Sequence, residues 1–368
     1  MKIQPFQAIY PRLEFIASSD SFFGTVKREY PEFKESGFFH KAAQEGIYIY
    51  QIQRQDRTHL GVVCTSDIED YNEGKILKHE NTLPNLEQTQ LQLFFKRRAA
   101  VKPVLLTYPR VTKIDNWLKK EIKNRKPILE ITFESEQAVH KFWEVCDGAK
   151  LMEIQSLFGK HVPKSYISDG HHRTSTAALL YKKMKKKEGD KYRYFLTSFF
   201  SFEELEIHDF NRVVHGLNNL EPEIFMAHLS SLFSIKVLKK PSVPAQKNVL
   251  VMFFNNHWYR LKWKKKVLNE YKDQPAILDA NLLNDKVLSK ILGIEDVRND
   301  KRIKYVEGPK GIEHFQKIIL EKPLSVGFLL HPVAMSDFLA VADASKIMPP
   351  KSTWFEPRMK NGVLVHEP

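Results

Sequence analysis

The chain has 368 residues, 42% of them hydrophobic and 27% charged, which suits two domains with sizeable cores. Its formal net charge is +13 and its pI about 9.4, a balance that fits nucleic acid, an acidic membrane surface or a phosphorylated ligand without selecting one. Only Cys64 and Cys146 occur, which argues against a disulfide framework or a thiolate zinc site. No apolar run reaches the ~18 residues of a membrane span, and the N-terminus lacks a signal-peptide pattern, so a cytoplasmic protein without a membrane segment is expected.

In chain order, residues 48–52 and 59–64 read as paired strands across the polar turn 54–57. Residues 86–98 read as a helix with Leu91, Phe94 and Phe95 on one side, and 103–108 as a buried strand. A helix at 114–123, a strand at 128–133 and a longer helix from Ser135 carrying Val139, Phe142 and Trp143 follow. Then a short β-type run breaks at Asp169-Gly170 into an Ala/Leu-rich helix, and 194–202 is strongly β-prone. Past residue 215 the pattern gives a helix at 222–233 and a hairpin of 248–255 with 257–263 across Asn255-Asn256. Helices at 276–292, ended by Gly293, and at 310–320, a strand at 325–330 and a helix at 332–341 complete it. The mixture is α+β, with domains expected at 1–214 and 215–368.

Three clusters could carry chemistry. The first is Asp169-Gly170-His171-His172-Arg173-Thr174. A strand turning on glycine into a helix offers unpaired N–H groups and the positive end of the helix dipole, and both favour an anion. His171, His172 and Arg173 add donors at that spot, whereas Asp169 could equally be a plain helix cap. The second is Lys78-His79-Glu80-Asn81-Thr82, where Glu80 could take a proton from a substrate hydroxyl or meet Mg²⁺, unless the segment only caps a helix. The third is Pro349-Pro350-Lys351-Ser352-Thr353, either a stiff loop presenting Lys351 to phosphate or a rigid connector.

Adjacent histidines on a helix point roughly 100° apart and HExxH spacing is absent, so Mg²⁺ carried in with a nucleotide is favoured over protein-held zinc. The lysine runs at 182–187 and 264–266 read as solvated helix ends. Without interleaved aromatics or a helix-turn-helix, nucleic acid is possible but not favoured as a partner. The sequence sets no oligomeric state.

Together with the opening Ile3-Gln4-Pro5-Phe6, these three blocks resemble the family called domain of unknown function 1015 over nearly the whole chain. One departure is that Phe15-Ile16-Ala17-Ser18-Ser19-Asp20 stands where that family carries a Pro-Tyr-Asp block. The Asp169–Arg173 element is also similar to that of free serine kinases built on the ParB/sulfiredoxin-like fold. The resemblance implies such a nucleotide-binding core and a phosphotransferase using ATP or ADP with Mg²⁺ on a small hydroxylated metabolite, serine first. The mechanism expected from these residues places Gly170, His171, His172, Arg173, Thr174 and Lys351 on phosphates, Asp169 and Glu80 on Mg²⁺, and Glu80, His172 and Asp169 in catalysis; Glu80 as base is assigned by residue type and proximity to the motif and is not fixed by the resemblance. A ParB-type nucleotide-gated DNA-binding protein and a nucleotide sensor without turnover are the alternatives.

Overall fold

Most strand-forming residues of the first two hundred positions gather into one mixed sheet in the computed structural model, which describes residues 1–368, while Ile9–Pro11 and Phe39–Lys41 pair separately. Its strands are β1 (Ile3–Gln4), β2 (Ile47–Gln53), β3 (Thr58–Asp67), β4 (Ile76–Leu77), β5 (Val104–Tyr108), β6 (Leu129–Phe133), β7 (Ala138–Val145), β8 (Ser165–Asp169) and β9 (Tyr194–Ser201). They lie in the order β4-β8-β5-β9-β3-β2-β7-β6, with β1 also paired to β3. The β4–β8 and β5–β9 pairs are parallel, and the other pairs are antiparallel. Helices cover the sheet, so β5 is buried at every position, as a continuous apolar run requires. The helices are α1 (Ser19–Glu35), α2 (Ile68–Asn72), α3 (Pro84–Arg97), α4 (Thr112–Ile122), α5 (Gly148–His161) and α6 (His171–Glu188).

The helix expected from Ser135 is instead β7. Its buried residues Ala138, His140 and Phe142 recur at a period of two, and Phe142 stacks on Tyr50 of β2 at 4.2 Å between centroids. The helical stretch lies further on, in α5, where Asp147 caps the first turn by accepting from the Lys150 amide at 3.0 Å. Helix α1, which the sequence pattern left unmarked, contains Pro31 and a non-helical Glu29.

These elements make one compact unit, Met1–Glu206, that also includes Pro357–Pro368. A second unit spans Ile207–Glu356. The division falls eight residues before the expected one because β10 (Phe210–His215) pairs with β14 (Ile303–Glu307) and β15 (Ser325–Leu329). With β11 (Phe233–Leu238), β12 (Val249–Phe254) and β13 (His257–Trp263) they form a sheet ordered β11-β13-β12-β15-β10-β14. Asn255 and Asn256, with φ of 47° and 60°, make the expected β12–β13 turn. The helix expected at 276–292 is shorter: Asp279–Leu282 runs into a π-helical Leu283–Ser289. The Asp279 carboxylate is occupied by the Asn248 amide and the Trp263 indole, which ties the start of that helix to the sheet. No helix of the protein is long and apolar enough to cross a membrane.

Candidate functional site

The chain enters the site along β8. Its register against β5 shifts between Ile167 and Asp169, a bulge that turns the strand end just before the helix. Gly170 then takes φ +115°, a conformation L side chains rarely adopt. A Cβ there would also lie 2.8 Å from the Arg173 guanidinium and push it from its place on Asp169. Gly170 is itself the N-cap of α6, and no side chain caps that end. The capping role open to Asp169 is therefore not the one it takes.

Asp169 sits instead among cations. Its carboxylate lies 2.7 Å from Arg173, 3.2 Å from Lys102 and 3.0 Å from Arg358. Burial opposes its ionisation, but the three cations outweigh this and hold its carboxyl far below the usual range. Burial pulls the Lys102 ammonium down to about 8, with Asp169 acting against that shift. Arg173 also donates to the carbonyls of Lys102 at 3.2 Å and Pro103 at 2.5 Å, fastening the α6 turn to the entrance of β5. Magnesium ligation by Asp169 does not fit this arrangement, because its charge is already neutralised by three cations.

The two expected blocks meet here. The imidazole of His172 accepts the amide of Leu83 at 3.1 Å, and that of His171 accepts the amide of His79 at 3.4 Å. Leu83 is the N-cap of α3, so the histidines clamp the 78–83 loop onto the first turn of α6. The His79 and His171 rings meet edge to face at 4.4 Å, and both are buried. Burial lowers His171 well below the ordinary histidine range and His79 to about 3, so both rings are neutral near pH 7. Glu80, half-buried, brings its carboxylate within 4.8 Å of the ring nitrogens of His79 and His171. Thr82 does not cap a helix: its hydroxyl donates to Glu87 at 2.5 Å.

Further expectations need correction. Thr174 has no exposed surface and its hydroxyl donates back to the Gly170 carbonyl at 3.2 Å, so it cannot touch a phosphate. His171 and His172 point ring nitrogens at loop amides, which makes them holders of the loop rather than simple phosphate donors. Lys351 belongs to the second unit, exposed, with its ammonium 5.3 Å from the Phe210 ring centroid. The residue near the C-terminus that reaches Asp169 is Arg358. Neither it nor Lys102 stood out in the sequence.

On its other side the first turn of α6 borders a cavity of about 310 Å³. Arg173, Thr176, Ala177 and Leu180 line it at helical spacing, facing Arg97 of α3, Lys102, Tyr194 and His366. Arg97 is nine-tenths buried and donates only to the carbonyls of Leu93 and Lys27. The volume lies at the small end of ligand pockets.

Fold and site thus define an α+β protein whose first unit carries a helix N-terminus without a side-chain cap, a carboxylate held by three cations and a cavity lined by two of those cations, Lys102 and Arg173. The chain belongs to the family described as Protein of unknown function (DUF1015), whose model matches residues 7–284. No curated protein matches it. Among solved structures it is distantly similar to SbnI with C-terminal truncation from Staphylococcus aureus. That match has 11% identity and a TM-score of 0.42, over 81% of this chain and 85% of that one. A free serine kinase variant in complex with ADP matches at 9% identity and TM-score 0.39, over 82% of this chain and 92% of that one. A conserved hypothetical protein from Pyrococcus furiosus matches at 10% identity and TM-score 0.38, over 82% and 95%.

Proposed function

We propose that this protein is a nucleotide-dependent phosphotransferase acting on a small hydroxylated metabolite, with serine the first candidate, and that its first unit is a ParB/sulfiredoxin-like core. One observation carries the reading: the Glu80 loop is clamped on the N-terminal turn of α6, so a carboxylate stands beside the helix end that favours phosphate. The Asp169–Arg173 resemblance supports the same assignment.

In this reading the amides at the start of α6 hold the transferring phosphate, with Lys102 and Arg173 supplying positive charge. The cavity alongside receives the rest of the ligand. Glu80 takes the proton of the acceptor hydroxyl as its oxygen bonds to phosphorus and the bond from phosphorus to the nucleotide oxygen breaks. His171 and His172 are positioning residues that set where Glu80 stands. Two imidazole nitrogens and one carboxylate are a poor donor set for magnesium, which wants oxygens, so the chain itself does not build a Mg²⁺ cage. Mg²⁺ bound to the nucleotide would supply charge neutralisation on the phosphates.

The test is phosphate transfer from ATP and from ADP to serine and other hydroxylated metabolites, followed by phosphorus NMR. Glu80→Gln should lower turnover by about 100-fold or more while nucleotide binding by calorimetry persists. Full turnover in both Glu80→Gln and Arg173→Ala would refute the proposal.

A further inference from the structure

The donor set that suits magnesium poorly suits another class of ion. We infer that His79, Glu80 and His171 form a binding site for a divalent first-row transition metal such as Zn²⁺ or Mn²⁺. Each of the three offers one ligand atom, and these atoms all lie within 4.8 Å of one another. Two imidazoles with one carboxylate are a donor combination that zinc, manganese and ferrous iron accept, with further positions open to water or substrate.

The site is built from two separate parts of the chain. His79 and Glu80 come from the loop after β4, and His171 opens α6. In the metal-free protein the His79 amide bonds to the His171 ring at 3.4 Å and the Leu83 amide to the His172 ring at 3.1 Å, so loop and helix are already joined; a metal on His171 takes that ring's one lone pair and replaces the long His79 amide bond, while the Leu83–His172 bond remains. The His79 ring also hydrogen-bonds the backbone carbonyl of Ile167 in β8. A carbonyl accepting from the far nitrogen of a ligating imidazole orients the ring and fixes which nitrogen faces the metal. The arrangement differs from the paired-histidine one that the sequence argues against: His171 and His172 diverge on the helix, and the second nitrogen ligand comes from His79 instead.

Metal uptake needs a modest contraction. Tetrahedral zinc with ligands at about 2.0–2.1 Å places its donors about 3.3 Å apart, so the cluster would close by roughly 1.5 Å at its widest. Glu80 is half-buried on a loop, and its side-chain torsions together with small rotations of the two rings would supply that movement. The ion would then stand beside the first turn of α6 and brace the loop against it. An open coordination position would face any anion docked at the helix end.

The inference goes beyond the phosphotransferase reading and does not depend on it. Full-length protein is stripped with chelator, dialysed separately against Zn²⁺, Mn²⁺ and Mg²⁺, and its bound metal counted by elemental analysis. Cobalt-loaded protein is examined by visible absorption. One equivalent of Zn²⁺ or Mn²⁺, no retained Mg²⁺, and a cobalt d–d spectrum are expected. Glu80→Gln and His171→Gln should each lose the bound equivalent and the metal-induced rise in melting temperature, while apo Glu80→Gln keeps the circular dichroism spectrum of the parent. Stoichiometric metal retained by both variants would overturn the site, as would metal-free parent protein after zinc and manganese dialysis. Transfer assays on the chelator-stripped protein with Mg²⁺ distinguish the two proposals, because a metal on Glu80 would occupy the base: metal uptake with no transfer by the stripped protein refutes only the enzymatic reading, and Mg²⁺-supported transfer without uptake refutes only this site.

Discussion

Asp169 and Lys102 show how one partly buried charge cluster sets local stability in opposite directions. Asp169 is held ionised by three cations, so Asp169→Asn would leave them mutually repelling beside the α6 turn. A loss of about 3 kcal/mol in urea unfolding is expected, partly recovered in the Asp169→Asn, Lys102→Met double variant, because the two residues share a partner. Because its folded carboxyl titrates below the ordinary range, the contribution of Asp169 is complete above the unfolded value of about 4. It is lost as pH falls from there through the folded value. Lys102 has the reverse sign. Its folded value of about 8 lies below an ordinary lysine, so the penalty for charging it is full below pH 8. Above that pH the unfolded chain binds the extra proton, and stability attributable to Lys102 should rise by about 2 kcal/mol between pH 8 and 9.5. Comparing the parent with Lys102→Met across that interval isolates the effect, and equal slopes would contradict the assignment.

At the scale of elements, the joint between the 78–83 loop and α6 contains two buried, neutral imidazoles in edge-to-face contact, those of His79 and His171. Both have lowered folded values, so their contribution is present above the unfolded histidine value of about 6.5 and fades as pH drops toward the folded one. At pH 5 the His79 contribution should have fallen by about 2 kcal/mol, and that of His171 moves in the same direction. Hydrogen exchange should therefore show the His79 amide, which bonds to the His171 ring, opening at pH 5 while β5 amides stay protected, and uniform protection at both pH values would contradict it. The two blocks that form this joint were legible in the sequence because each concentrates unusual residue types within five or six positions. Lys102 and Arg358 were not, since one lysine before a proline and one arginine near the C-terminus make no local pattern. They become site residues only when β5 and the 357–368 segment are brought to Asp169. The same limit explains β7. Val139, Phe142 and Trp143 fit a helical stripe as well as a strand, and the pairing with β2 that decides between them comes from ninety residues away.

For the whole molecule, the last twelve residues belong to the first unit although the second unit precedes them in the chain. They bring Arg358 to Asp169, Lys360 to Glu136 and Glu367 to Tyr30, and add backbone bridges from Val365 to Ile9 and from His366 to Ala100. His366 also forms part of the cavity wall. The second unit has a core of its own, in which Phe225, Leu229, Phe233, Leu250, Phe254 and Phe328 are buried together. A chain ending at Glu356 would lose every first-unit contact just named and none of that core. Its thermal unfolding should separate into an early transition of the first unit and an unchanged later one, because the buried apolar surface of Ile207–Glu356 is closed within its own sheet and helices. Limited proteolysis at the intermediate temperature should leave a resistant fragment beginning near Ile207. A single cooperative transition, with no such fragment, would show that the second unit cannot hold its fold once the first has opened.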